Sequence, residues 1–203
     1  MFKRLAVFIL MLTLLLAVSA CRGRGGTGDL EDWFAGIFGE ELNLTIEITG
    51  VFEVGEDTTL IQMIDGNVMY MFMSSDEYEY TEYVIEEDGE WFSYMLYGDD
   101  EWIRFPDDYG ITTIFDEMFE TALETGWFDV DGNTYTLRPE HYVDVFDDTE
   151  DVGSMVITLT DDEMTMVLTG AGDQEGIVVT IVIKDVGSTV IELPDFGEIE
   201  DWS

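Results

Sequence analysis

Basic residues are scarce in this chain, in which 7 Lys and Arg stand against 46 Asp and Glu and give a formal net charge of −39 at pH 7. After Gly28 the only Lys and Arg residues are Arg104, Arg138 and Lys184. A surface that binds nucleic acid needs clustered basic side chains to neutralise phosphates. The composition therefore excludes nucleic acid as a partner.

Cysteine and histidine occur once each, as Cys21 and His141. A single cysteine cannot form a disulfide within the chain, so the folded state depends on its hydrophobic core. Zinc sites draw on several Cys and His side chains, and no nucleophile motif such as Gly-x-Ser-x-Gly is present. Among so many acids, two carboxylates at a catalytic spacing are expected by coincidence. We therefore predict that the protein is not an enzyme and has no catalytic residue, metal site or cofactor.

Two acidic segments are candidate cation sites because carboxylates bind hard cations. The segment 129–135, with Glu140 at the twelfth position, resembles a calcium loop, but its glycine is fourth and an EF-hand needs it sixth. A hairpin with a turn at Asp131-Gly132-Asn133 fits the flanking β-rich residues better. The stretch 147–151 is interpreted as a solvated acidic loop, with weak cation binding as the alternative.

The acidic excess does not indicate a disordered polyanion, because apolar residues make up 46% of the chain. Charges of one sign at this density repel one another at low salt. Such a composition is typical of the solvated surface of a halophilic protein, which the scarcity of Lys favours. An extracellular protein of an alkaliphile is the alternative.

The first 20 residues are predicted to be a secretory signal peptide. Lys3 and Arg4 precede an apolar run from Leu5 to Val18 that only Thr13 interrupts. This run is shorter than the roughly 20 residues that span a bilayer, and its length suits the apolar region of a signal peptide.

The signal ends in Val18-Ser19-Ala20-Cys21, which resembles the bacterial lipobox: an aliphatic residue, two small residues and a cysteine. The resemblance implies that the Cys21 thiol receives a diacylglycerol, which anchors the protein to the extracytoplasmic face of the cell membrane. Residues 21–28 would then form a lipidated, Gly-rich tether that reaches at most about 24 Å. An ordinary signal peptide with an incidental cysteine is the alternative.

Residues 29–203 are predicted to form a single acidic, β-rich domain. Apolar residues alternate with polar ones from Leu42 to Ile48, as in a strand with one buried face. Asp-Gly pairs separate several later β-rich runs, which is typical of hairpins in an antiparallel meander. The run 176–184 is apolar on both faces and is predicted to be a central strand. The other predicted strands are 57–64, 67–74, 77–86, 90–97, 154–160, 163–169 and 188–193, with a hairpin over 127–137.

Three helices are predicted between these strands. Apolar residues recur at helical spacing over 30–38 and, most clearly, over 111–125, where Gly126 follows. Pro139 suits the first turn of a short third helix that ends near Phe146.

The order of elements, and the closing segment Ile183–Pro194, are similar to LolA/LprG/LppX-like lipoprotein-carrier domains. The resemblance implies a mainly β, α+β fold: a curved antiparallel half-barrel with two or three helices across its concave face, around a cavity for acyl chains. It covers most of residues 42–194 and is one of pattern, and no ligand residue of that family can be assigned here.

Methionines follow one face of the predicted strand 67–74, while Val68, Tyr70 and Phe72 follow the other. Flexible Met side chains suit adaptable apolar surfaces, although they also fill ordinary cores. The predicted ligand-lining residues are Met69, Met71, Met73, Phe115, Met118 and Phe119. We thus expect a non-catalytic binding or carrier lipoprotein for an apolar ligand such as a lipid. A structural or sensory surface lipoprotein with protein partners and no cavity is the alternative, and the oligomeric state stays open.

Overall fold

The structure is a computed structural model that describes residues 30, 33, 42–53, 56–76, 78–97, 101–108, 110, 125–145, 152–197 and 199–201. The predicted signal peptide, Cys21 and the tether lie outside the described residues. Most of the predicted helices over 30–38 and 111–125 lie outside them as well, including Phe115, Met118 and Phe119, and so does the acidic stretch 147–151.

Twelve strands form one open, mainly antiparallel sheet. Along the sheet their order is β12-β6-β5-β4-β3-β2-β1-β11-β10-β9-β8-β7, and only β12 pairs in parallel, with β6. The strands are β1 (Asn43–Glu53), β2 (Glu56–Asp65), β3 (Val68–Ser74), β4 (Glu79–Glu87), β5 (Glu90–Tyr97), β6 (Glu101–Pro106), β7 (Phe128–Asp131), β8 (Thr134–Leu137), β9 (Val152–Leu159), β10 (Glu163–Gly170), β11 (Val178–Lys184) and β12 (Ile199–Asp201).

Helical structure in the described ranges is short. The helix predicted from Pro139 is confirmed as a 3-10 turn, Pro139–His141, followed by the four-residue α-helix α1, Tyr142–Val145. Two more 3-10 turns are Thr125–Trp127 and Gly172–Gln174. The prediction of two or three helices across a concave face is therefore not shown by the described residues, where α1 is the one complete α-helix.

Most of the predicted strands are confirmed, because hairpins arise from local patterns that the sequence displays. The four runs between 57 and 97 correspond to β2 to β5, and the runs from 154 to 184 correspond to β9, β10 and β11. β11 is central, as predicted, since β1 and β10 flank it. The hairpin over 127–137 is confirmed as β7 and β8, whose turn places Gly132 at a φ of 62°.

The strand predicted over 188–193 is wrong, because that segment has no regular secondary structure. Both sides of β11 are already occupied, by β1 and β10, so no free edge remains beside it for a closing hairpin. The backbone N–H of Thr189 instead donates to the Asn43 side chain at 2.7 Å, and the Asn43 amide donates back to the Thr189 carbonyl at 2.9 Å. The two strands that the sequence analysis missed are β6 and β12.

The antiparallel register defines two faces of the sheet, since directly paired residues project to the same side. On one side, here called the core face, Ile157, Met166 and Ile181 are paired neighbours with 0%, 0% and 1% of their surface exposed. Leu30, Phe128, Leu137 and Val145 pack into the same cluster. The opposite side is called the second face.

Candidate functional site

The core face changes character from one end of the sheet to the other. The row of paired residues through Met166 is buried on β8 to β11, but from Ile48 on β1 it becomes half-buried. The half-buried apolar residues continue across the strands β2 to β5. We call this surface the methionine patch and define it as Ile48, Leu60, Met71, Met73, Tyr80 and Met95.

Two buried polar side chains lie in the methionine patch. Gln62 and Glu82 flank Met71 in one row of paired residues, and Met95 follows Glu82 in that row. Gln62 and Glu82 are each only 9% exposed. The patch is therefore an apolar surface with a carboxamide and a carboxylate set into it.

The two polar groups make one described hydrogen bond each. The Gln62 amide donates to the Met69 sulfur at 2.8 Å, and the Tyr80 hydroxyl donates to a Glu82 carboxylate oxygen at 2.7 Å. Burial, and then the adjacent Glu82 carboxylate, raise the pKa of the Tyr80 hydroxyl well above its ordinary value of 10.0. The tyrosine therefore remains a hydrogen-bond donor to Glu82 at any physiological pH.

Basic side chains are engaged elsewhere in the described part of the chain. Arg104 pairs with Glu87 at 2.8 Å, Lys184 with Glu47 at 2.6 Å, and Arg138 with Glu140 at 3.6 Å. The pairing register places Arg104 and Lys184 on the second face, together with Thr45 and Tyr94. No ion pair of the described residues reaches Glu82, although a buried carboxylate is stabilised by an opposite charge.

The second face of β3 to β6 carries an aromatic cluster, which we define as Tyr70, Tyr83, Tyr94, Trp102 and Phe196. Tyr83 lies 4.9 Å from Tyr70 and 5.7 Å from Trp102, measured between ring centroids. Phe196 stacks on Tyr94 at 4.5 Å and meets Trp102 edge-on at 5.0 Å. The rings contact one another face to face or edge-on. Tyr94 is buried, at 4% exposed, and the other four rings are half-buried.

The C-terminal strap, residues 189–197, contacts the other rings of this cluster through Phe196. Thr189 at its start shares a 3.0 Å hydrogen bond with Thr45 of β1, and Phe196 near its end lies on Tyr94 of β5. Four strand spacings of about 4.8 Å separate β1 from β5, or about 19 Å, and seven extended residues span up to about 24 Å. The strap thus spans four strand spacings, from β1 to β5, with little slack before β12 begins.

Apart from the paired residues Glu163 and Lys184 at one end, the second face of β9 to β11 carries no charged side chain, which is unusual in a chain this acidic. Its paired residues are half-buried, as expected for a sheet face that side chains of neighbouring strands cover only partly. We call it the threonine-valine face and define it as Val156, Thr158, Thr165, Val167, Thr180 and Val182.

The residues predicted to line a ligand separate into three groups. Met69 is a core residue, only 2% exposed, whose sulfur accepts the Gln62 hydrogen bond. Met71 and Met73 are half-buried in the methionine patch. Phe115, Met118 and Phe119 lie outside the described residues, as does Cys21. Sequence reasoning missed Gln62 and Glu82, although a polar residue on the buried phase of an alternating strand was the available signal.

The other polar candidates have structural surroundings. The His141 ring stacks on Trp127 at 5.7 Å, and its Nδ1 lies 2.8 Å from an Asp144 oxygen. In the described ranges, no three His, Cys, Asp or Glu side chains come close enough to hold a metal ion. Among the same residues, no helix has the length and apolar character that crossing a bilayer requires.

Comparison of the chain with protein-family models, with curated proteins and with solved structures finds no match.

Proposed function

We propose that this protein is a membrane-anchored, extracytoplasmic lipoprotein that binds or carries an apolar ligand such as a lipid, without catalysing a reaction. The lipobox-like Val18–Cys21 supports the anchor, with Cys21 as the lipidated residue. One observation carries the binding function: the apolar core face continues beyond the buried core into the half-buried methionine patch. Apolar side chains that stay partly exposed in a chain of net charge −39 favour an apolar ligand there.

The finer architecture that we propose is the half-barrel, with the predicted helix over 111–125 crossing the core face. Gly110 supports this path, because a Cβ there would lie 2.7 Å from the Trp91 ring, which lies on the core face. At the other end of the segment, Trp127 packs against the core cluster. Both ends of the segment thus lie at the core face, so Phe115, Met118 and Phe119 are proposed to cover the methionine patch.

Distances along the sheet favour a curved over a flat sheet for this arrangement. Ten strand spacings separate β6 from β7, which amounts to about 48 Å in a flat sheet. A segment with a helix over 111–125 reaches at most about 43 Å even with fully extended flanks, and the 3-10 turn Thr125–Trp127 makes the actual reach shorter. A curved sheet brings its two edges closer together and places the helix within reach.

Native mass spectrometry of the full chain, purified from the membrane of its own host, tests the binding function. We expect a retained lipid in the wild-type protein and less of it in Met71→Asp, which puts a second charge into the patch. Val143→Asp is the matched control, since Val143 is 69% exposed on α1. A wild-type protein without any retained lipid would contradict the proposal.

The anchor has its own test, because lipidation and ligand binding are separate properties. Cys21→Ala is expected to abolish the incorporation of radiolabelled palmitate in the host cell. Ser19→Thr, which keeps the cysteine, should still be labelled. Equal labelling of Cys21→Ala and the wild type would show that Cys21 is not the lipidated residue.

A structural or sensory protein with protein partners is the second candidate, and the threonine-valine face is the observation that favours it. An uncharged sheet face among so many carboxylates is suited to contact another protein surface. Charged substitutions at Thr165 and Val167 would then disrupt cross-linking to a partner in the cell and leave lipid retention unchanged.

A further inference from the structure

We infer that the ligand of the methionine patch is an amphiphile with a long aliphatic chain and an ammonium head group that binds Glu82. This inference rests on the proposed function and specifies the chemistry of the ligand. The proposed complex places the aliphatic chain on Met71, Met73 and Leu60, with the head group at the Glu82 carboxylate.

The position of Glu82 is the first reason. Glu82 is 9% exposed and lies between Met71 and Met95 on the side of the sheet that carries the core. The Tyr80 hydroxyl occupies one of its oxygens. Two carboxylate oxygens can accept about four hydrogen bonds, so an ammonium group that donates to Glu82 has acceptor positions to use.

Charge complementarity is the second reason. The Lys and Arg residues of the described ranges pair with Glu47, Glu87 and Glu140, so Glu82 has no cation from them. A ligand cation would supply the missing opposite charge in a site shielded from water, where such pairs interact more strongly than at the surface. A fatty acid would instead bring a second carboxylate next to Glu82, in a chain of net charge −39.

The neighbouring amide fits the same occupant. Gln62 is 9% exposed, and its side-chain nitrogen donates to the Met69 sulfur, while its side-chain carbonyl oxygen makes no hydrogen bond among the described residues. An ammonium group has three donors. Glu82 and Gln62 together thus offer acceptors and no described cationic donor, which selects against an anionic head group.

The experiment compares dodecylamine with dodecanoic acid, two ligands of equal chain length, on the full chain in detergent by native mass spectrometry. We expect saturable one-to-one binding of dodecylamine that is at least about tenfold tighter than that of dodecanoic acid. Ethylamine, which has the head group without the chain, should not bind. This comparison uses the wild-type protein and does not depend on any variant folding correctly.

The variants assign the preference to Glu82. Glu82→Gln keeps an acceptor for Tyr80 and should reduce dodecylamine binding about tenfold while bringing dodecanoic acid close to the same affinity. Glu79→Gln is the matched control, because Glu79 is exposed on the other face of the same strand. This substitution removes the same charge from the protein. It should bind dodecylamine like the wild type.

The outcomes distinguish a failure of the apolar site itself from a failure of its specificity for an ammonium head group. If neither dodecyl ligand binds better than ethylamine, the apolar site itself is contradicted. If dodecanoic acid binds as tightly as dodecylamine, the binding function stands and the ammonium specificity is wrong. If Glu79→Gln loses as much dodecylamine binding as Glu82→Gln, the preference comes from the overall negative charge, and the assignment to Glu82 is wrong.

Discussion

In both halves of the sheet, side chains alternate between the two faces, but the halves differ in how deeply the core face is buried. In the half formed by β8 to β11, the core face is fully buried and the second face carries the threonine-valine face beside Lys184. In the half formed by β2 to β6, both faces carry half-buried apolar side chains: the aromatic cluster, including Phe196 of the C-terminal strap, on the second face, and the methionine patch on the core face. Ring contacts on the second face thus stabilise β2 to β6, and the methionine patch on the opposite face is the surface that we propose for the ligand.

The first prediction, with the largest expected effect on stability, concerns the seam between the two halves of the sheet, where β1 pairs with β11. Gly50 has a φ of 150°, and a Cβ there would lie 2.1 Å from the Val178 carbonyl oxygen. Gly50→Ala should therefore lower the free energy of unfolding by about 4 kcal/mol or more, measured by denaturant unfolding.

Gly66→Ala is the control for this substitution. Gly66 has a φ of 60°, but a Cβ there meets no heavy atom within 4 Å. It should cost only about 1–2 kcal/mol, from the left-handed backbone conformation alone. Equal losses for the two variants would mean that the seam is not tightly packed.

The second prediction compares a methionine from each half. Met166 is 0% exposed in the buried half, so Met166→Ala should cost about 2–5 kcal/mol through the cavity that it leaves. Met71→Ala should cost less than about 1.5 kcal/mol, because the half-buried side chain has fewer partners to lose, and it should weaken ligand binding instead. Denaturant unfolding measures both costs. A Met71 cost as large as that of Met166 would make the patch an ordinary filled core.

The third prediction concerns the strap over β2 to β6. Phe196→Ala removes the stack on Tyr94 and the edge contact with Trp102, and should cost about 2 kcal/mol. Hydrogen exchange of β12 amides should accelerate, because the strap holds that strand at the edge. Val190→Ala is the control, since Val190 is highly exposed and should change stability by less than about 0.5 kcal/mol. Unchanged exchange in Phe196→Ala would show that β12 is held without the strap.

The smallest effect is a pH dependence at the end of β4, on the second face. The hydrogen bond from the Tyr94 hydroxyl holds the pKa of Glu87 below its ordinary value of 4.5, with Arg104 adding to this and partial burial opposing it. A carboxyl whose pKa is lowered in the folded state stabilises the protein above pH 4.5, and this contribution disappears as the pH falls through the lowered pKa.

The measurement compares the wild type with Glu87→Gln across this range. The wild type should be more stable by less than about 1 kcal/mol near neutral pH, since solvent screens this half-exposed pair. The difference should vanish in acid. A difference that is constant with pH would mean that the charge of Glu87 contributes nothing.

The sequence was informative where structure is local. Asp65-Gly66, Asp88-Gly89 and Asp131-Gly132 lie at hairpin turns, and the alternation around them predicted the strands that they join. The sequence correctly placed the methionines of β3 on one face of the strand. It did not distinguish their exposure, since Met69 is a core residue and Met71 is half-buried. Exposure depends on which distant parts of the chain pack onto that face of the sheet, and the spacing of residues within one strand contains no information about that.

The amino-acid sequence by itself determined the acidic character, the β-rich hairpins and the turns, because these follow from composition and from contacts between residues close in the chain. Only the tertiary structure decided the order of the strands, which brings Ile46 beside Ile183 and leaves the 188–193 segment without an edge to pair with. It also decided that Glu82 is buried on the core face while Arg104 lies on the other. Such pairings join residues far apart in the chain, and their free energy depends on the whole sheet, so no local pattern specifies them.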